Sequence, residues 1–336
     1  MPYFFRLPEV HNLTPDQQQA VDETDCICMS GGPGTGKTVV NLWRHIRNYD
    51  LGATRSLLLT YTKTLEHYLR ASAMPINEEA ANNISRTKLW TYGNNRNHYD
   101  EIIIDEAQDV TIDRYEIINN HAEKVSYSAD INQAVFLSQE QVNNLLNQLK
   151  DLFPDNEEFE LTKNFRNSRE ILLFTKSIFP SLFIPQGTIN DARTTGIKPI
   201  VQLVGWDIEE IVEKTMEIVI EYGTETHNIG ILVPSVNQVN QYYDLISQYT
   251  VCSKFQNEMD AFNDLENIHI TTFKSAKGIE FDTVIIPKFD SYQWFLDNTE
   301  IITENDYYVA LTRAKINLFL ICNRNLNVLG NTYEIE

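Results

Sequence analysis

The stretch MSGGPGTGKTVV constrains the fold of this chain more than any other. Gly31 is followed by four residues and then by Gly36, Lys37 and Thr38, with an apolar segment before them and an amphipathic one after. A glycine-rich loop between a strand and a helix lets successive backbone N–H groups curl around an anion, and the helix adds the positive end of its dipole. In such a loop Lys37 neutralises phosphate oxygens and the Thr38 hydroxyl is offered to magnesium. Gly31, Gly32, Pro33, Gly34, Thr35 and Gly36 therefore read as the cradle of a nucleoside triphosphate, with ATP and Mg2+ as expected ligands. A strand–loop–helix start of this kind commits the chain to an α/β fold on a mainly parallel sheet.

The rest of the chain keeps that rhythm. Short apolar runs predict strands over 25–29, 56–60, 88–91, 101–104, 124–127, 200–204, 229–233, 268–272, 283–286 and 318–321. Amphipathic spacing predicts helices over 38–49, 140–149 and 208–222. The 336 residues suit two domains, and the polar interruption FPDNEEFE over 153–160 suggests a division into 1–157 and 158–336. The chain contains no run of eighteen or more apolar residues, and its start lacks a basic segment followed by an apolar core, so a cytoplasmic protein is expected, with no membrane partner. Cys26, Cys28, Cys252 and Cys322 match neither a zinc ribbon nor a disulfide framework and read as buried thiols.

A triphosphate site that hydrolyses needs a second strand ending in an acid. IIIDEAQDV supplies it: Ile102, Ile103 and Ile104 lead into Asp105 and Glu106. Alone, this could equally be an acidic strand cap. About seventy residues after Lys37, it becomes a hydrolysis site, with Asp105 as magnesium ligand and Glu106 as the base that takes a proton from the attacking water.

Taken with seven further segments in order from Leu13 to Lys315, these make the chain resemble the superfamily 1A helicases of the UvrD and Rep type. That resemblance implies two RecA-like P-loop NTPase domains with ATP in the cleft between them. LTPDQQQAV is similar to the motif that reads adenine, through Gln17. LLLTYTKT and LWTY resemble segments that carry single-stranded DNA, implicating Tyr61, Thr62 and Thr91. YSADINQAVF resembles the motif that couples the γ-phosphate to the DNA track through Gln133, with Phe136 as an aromatic platform. Ala129 stands where the family has Gly, and LSQE replaces its usual tail. LTKNFRNS resembles the opening of the second domain, with Phe165 stacking on adenine and Arg166 reaching the γ-phosphate. TTFKSAKGIEFD resembles the motif that grips DNA through Thr272 and the ribose through Glu280, with Lys274 in place of the family's histidine. ENDYYVALTRAK resembles the last motif, which makes Arg313 the arginine finger. The resemblance also assigns Gln108 and Asp109 to linking hydrolysis with domain movement.

Full-size relatives carry two large inserted accessory domains; here residues 65–99 and 249–267 stand in their places and are too short for independent domains. Val39 replaces the family's Arg after the phosphate loop. The resemblance implies an ATP-hydrolysing helicase or translocase on single-stranded DNA, moving 3′ to 5′ and possessing little equipment for duplex handling. The charge balance, 27 basic against 47 acidic residues for a net −20, opposes tight nonspecific coating of nucleic acid. That balance keeps a second reading open, an ATP-driven switch subunit working with a protein partner such as a nuclease in DNA repair or antiviral defence. A catalytically dead scaffold is disfavoured, because Lys37, Thr38, Asp105, Glu106, Gln133, Arg166 and Arg313 are all present.

Overall fold

The computed structural model describes the chain apart from residues 6, 53, 95, 131–138, 183, 185, 256–264, 300–301 and 327–329; of residues 139 and 142 it describes the backbone alone. The chain divides into two compact units, one made of Phe5–Asn164 and the other of Phe165–Glu336 together with Met1–Phe4. The division expected after residue 157 falls inside a strand of the first unit, and Tyr3 belongs to the second, where its N–H donates to Leu265 O at 2.7 Å.

In the first unit, β1 (Ile27–Gly31), β2 (Ser56–Thr60), β3 (Ile84–Arg86), β4 (Tyr99–Ile104), β5 (Ala122–Ala129) and β6 (Glu157–Leu161) form a parallel sheet in the order β3-β2-β4-β5-β1-β6. Every residue of β2 is buried, as strands covered on both faces require. Ile102 and Ile104 of β4 pack with Leu57, Leu59, Val125 and Tyr127 into one core. Parallel pairing brings the C-terminal ends of β1, β4 and β5 to the same edge. The register sets Ile104 beside Tyr127 and Met29 beside Ser128, so Asp105, the phosphate loop and Ser128 emerge side by side.

The second unit repeats the plan. Strands β7 (Ile200–Leu203), β8 (Ile229–Val233), β9 (Ser253–Phe255), β10 (Ile268–Thr272), β11 (Phe281–Pro287), β12 (Ala314–Cys322) and β13 (Glu334–Ile335) pair in parallel in the order β13-β7-β12-β11-β8-β10-β9. The helices Ile208–Tyr222 and Val236–Ile246 bury Val219, Val239, Tyr242 and Ile246 against Ile229, Ile231 and Val233. Among the described residues, no helix is long and apolar enough to cross a membrane.

One expected strand is a helix. Residues 88–91 lie within the helix Thr87–Tyr92, directly after β3. Threonines and aromatics favour an extended chain by propensity, but tertiary contacts decide here. Thr87 and Thr91 sit one turn apart and are buried, with Thr87 Oγ1 donating to Thr60 O at 3.2 Å and Thr91 Oγ1 to Thr87 O at 2.8 Å, while Leu89 and Tyr92 face solvent. The first strand also starts two residues later than expected, at Ile27.

Candidate active site

The phosphate loop runs from the end of β1 into the helix Lys37–Asp50. Its last glycine, Gly36, has φ 90°, a left-handed conformation that side-chain-bearing residues avoid. A Cβ there would also collide with the side-chain amide of Gln17. That amide ties the preceding helix, Pro15–Asp22, to the loop. Its Oε1 accepts from Thr14 N at 2.9 Å in a capping box, and its Nε2 donates to Thr35 O at 2.9 Å. Gln17 thus combines the helix-cap role with direct contact to the nucleotide loop. Asn164 holds the opposite side, donating to Pro33 O at 2.8 Å.

Lys37 is buried, with Nζ donating to Gly31 O at 2.7 Å and Gly32 O at 2.9 Å and lying 3.6 Å from the Asp130 carboxylate. A buried ammonium must keep such partners, so an incoming phosphate need only replace two carbonyls to take over its charge. Thr38 Oγ1 donates to Asp105 Oδ2 at 2.8 Å. Asn41 Nδ2 and Ser128 Oγ both donate to Asp105 Oδ1, at 2.9 and 2.8 Å. Burial, reinforced by the charge of Glu106 beside it, pushes the Asp105 carboxyl up to about 6 against the opposing hydrogen bonds from Thr38 and Ser128.

The donors gathered here are hydroxyl and carboxylate oxygens, the hard set that magnesium prefers. Among the described residues, no cluster of three or more His, Cys, Asp or Glu forms a metal cage. Magnesium does not need one, because it keeps waters and phosphate oxygens around one or two protein ligands. Thr38 and Asp105 fit that role.

Glu106 adopts φ 57° and ψ 45° and leads the short 3-10 turn Ala107–Asp109. A non-glycine residue in this region carries roughly 1–2 kcal/mol of strain, which the surroundings must hold in place. Tyr115 Oη donates to Ala107 O at 2.8 Å, and Gln108 donates through Nε2 to the Glu106 carboxylate while its Oε1 accepts from Asp130 N at 3.0 Å.

In the second unit, Arg166 Nε meets Glu280 Oε2 at 2.7 Å, and Lys315 Nζ lies 3.2 Å from Glu280 Oε1. Burial raises the Glu280 carboxyl, but the two cations outweigh it and hold it at about 2. Phe165 is half-exposed. Arg313 is buried, donating through Nε to Val309 O at 3.0 Å and through Nη1 to Ile279 O at 3.4 Å.

The residues associated with nucleic acid are mostly engaged locally. Thr62 caps the helix Lys63–Ala73 by accepting from Leu65 N at 3.2 Å. Thr91 accepts from Arg114 Nη1 at 2.7 Å, and Thr272 accepts from Ser275 N at 3.2 Å. Lys274 lies 3.9 Å from Asp306, and Tyr61 is partly buried at the end of β2. Gln133 and Phe136 lie outside the described residues. The structure thus gathers Gln17, the loop, Lys37, Thr38, Asp105 and Glu106 in the first unit, and Arg166 with Glu280 in the second. It adds Asn41, Ser128, Asp130, Asn164 and Lys315, none of which stood out in the sequence. Asn41 follows Thr38 by three positions on one helix face, and Ser128, Asp130, Asn164 and Lys315 fall inside the segments YSADINQAVF, LTKNFRNS and ENDYYVALTRAK, whose roles are assigned to other residues.

Two family models match the chain, one within each unit. The model of the UvrD-like helicase C-terminal domain matches residues 237–325, and that of an AAA domain matches residues 17–136. A probable DNA helicase from Mycoplasma pneumoniae is 24% identical over 242 residues, covering 67% of this chain and 43% of that protein. The Gabija protein GajB of Bacillus cereus is 32% identical over 167 residues, 43% of this chain and 33% of that protein. The chain therefore spans less than half the length of these relatives. The solved structure of S. cerevisiae Dbp5 bound to RNA and ADP BeF3 aligns over 94% of this chain and 88% of that one, with a TM-score of 0.55 at 11% identity. That likeness shows the fold, two RecA-like α/β domains.

Proposed function

The chain belongs to the UvrD-like superfamily 1 helicases, and on that premise we propose that it hydrolyses magnesium-ATP and moves along single-stranded DNA. The observation that carries the reading is the convergence of Thr38, Asn41 and Ser128 on Asp105 beside a complete phosphate loop. In this reading Lys37 gives up the Gly31 and Gly32 carbonyls for phosphate oxygens. Thr38 and Asp105 hold magnesium, which supplies positive charge to the triphosphate. The Glu106 carboxylate takes the proton of the water whose oxygen attacks the γ-phosphorus, as the bond to the β-phosphate oxygen breaks. Gln133 orients that attack, and Phe165 and Glu280 hold the adenosine. Arg166 and Arg313 stabilise the charge that develops on the transferring phosphoryl group; a finger of this type is worth about 10³- to 10⁵-fold in rate. Tyr61, Thr62, Thr91, Phe136, Thr272 and Lys274 are the proposed contacts to the DNA strand, with 3′ to 5′ movement following the family.

A second reading, an ATP-driven switch subunit of a repair or defence complex, draws on the net charge of −20 and on the likeness to GajB. ATP turnover measured at low salt with no nucleic acid, single-stranded DNA, RNA and duplex separates the two. Stimulation by single-stranded DNA, weakening steeply with added salt, is the expected result. Turnover that stays flat across DNA concentrations overturns the translocase in favour of the switch.

A further inference from the structure

We propose that Gln108 is the positioning residue for the Glu106 base, fastening its carboxylate to the end of β5. The inference rests on the assignment of Glu106 as the base and adds the device that aims it. Gln108 is completely buried, and the two ends of its amide are used differently. Nε2 donates to Glu106 Oε2, and Oε1 accepts from the backbone N–H of Asp130 at 3.0 Å. Asp130 directly follows β5, and its carboxylate lies 3.6 Å from Lys37 Nζ. The amide therefore joins the base to the strand end that also faces the phosphate-loop lysine.

The backbone makes the bridge possible. The left-handed turn at Glu106 and the 3-10 turn Ala107–Asp109 bring residue 108 back beneath residue 106, and the Asp109 N–H to Glu106 O bond at 3.0 Å closes that turn. Tyr115, fully buried, pins the turn through Ala107 O. Of the side chains of this length, only glutamine offers a donor to a carboxylate and an acceptor to an N–H at once. Glutamate would satisfy Asp130 and repel Glu106; methionine would fill the space and bond neither. Without this amide Glu106 keeps its chemistry but loses its aim, so the loss belongs to turnover and not to nucleotide affinity.

The test is a double-mutant cycle in the full chain, with kcat and KM for ATP and binding of Mg-ADP measured for each variant. Gln108→Met is expected to lower kcat by about 10- to 100-fold, the range seen when a partner that orients a functional ligand is removed, with KM and Mg-ADP affinity retained. Because Gln108 acts through Glu106, adding Gln108→Met to Glu106→Gln is expected to cost less than about twofold more. Losses that multiply in the double variant overturn the inference, as does a Gln108→Met defect expressed as weakened Mg-ADP binding. Should Gln108→Met fail to fold, Gln108→Glu keeps the acceptor for Asp130 and carries the same cycle: a fall in kcat alone supports the inference, and unchanged kcat overturns it. Glu106→Gln turning over ATP like the wild type would remove the base assignment and this inference with it.

Discussion

Replacing Glu280 with Gln removes the carboxylate that Arg166 and Lys315 share. Its carboxyl titrates at about 2 in place of the ordinary 4.5, and at about 1.4 kcal/mol per pH unit that difference corresponds to about 3 kcal/mol. The side chain is 25% exposed, so solvent screening reduces the expected contribution to about 2 kcal/mol. The sign follows from linkage. The folded form binds the proton less readily than the unfolded one, so the stabilisation is complete above pH 4.5 and disappears as pH falls through the folded value near 2. Urea unfolding of the second unit, followed by Trp206 and Trp294 with Trp43 and Trp90 replaced by Phe, measures it. The variant should lie about 2 kcal/mol below its parent at pH 7, with the gap narrowing steadily between pH 4.5 and the most acid point accessible. A gap of the same size at every pH would refute the electrostatic argument, and no gap at pH 7 would refute the ion pairs themselves.

Two other consequences concern the interior. His269 is buried, bonds Ser253 Oγ at 2.8 Å through Nδ1, and is pushed by burial from 6.5 to about 3. It stays neutral in the folded unit while the unfolded chain takes up a proton below pH 6.5, so at pH 5 it costs about 2 kcal/mol; the unfolding midpoint of the second unit should fall between pH 7.5 and 5, and His269→Gln should flatten that fall. Arg44 and Glu101 form a buried pair at 2.8 Å, joined by Ser126, Asn48 and the Ala20, Glu23 and Asp25 carbonyls. Arg44→Ala strands a buried carboxylate and should cost the first unit about 3–5 kcal/mol in denaturation, whereas Arg44→Met with Glu101→Leu should recover most of that loss.

The parts of the site legible in the sequence are those whose chemistry is carried by consecutive residues. Gly31 through Thr38 must be contiguous to wrap a phosphate, and Asp105 and Glu106 must follow a strand directly. The supporting partners are not contiguous. Ser128 reaches Asp105 because β5 lies beside β4 in that register, and Asn164 reaches Pro33 from the end of the first unit. Neither adjacency has a local signature. The sixth strand was hidden for a different reason. At the sheet edge, Glu157, Glu158 and Glu160 face solvent and only Phe159 and Leu161 turn inward, so the segment looks like a linker. The helix Thr87–Tyr92 was hidden by strand-forming residue types in a segment too short to show its period.

On the proposed reading, the phosphate loop and the Glu106 carboxylate form one hydrolysis site. Its most direct test compares ATP binding and ATP turnover in the wild type, Glu106→Gln and Lys37→Ala. Glu106→Gln is expected to bind Mg-ATP like the wild type while losing turnover by about 10²- to 10⁴-fold, and Lys37→Ala is expected to lose both. Wild-type turnover in Glu106→Gln would mean that Glu106 is not the base and that the two segments do not form one hydrolysis site.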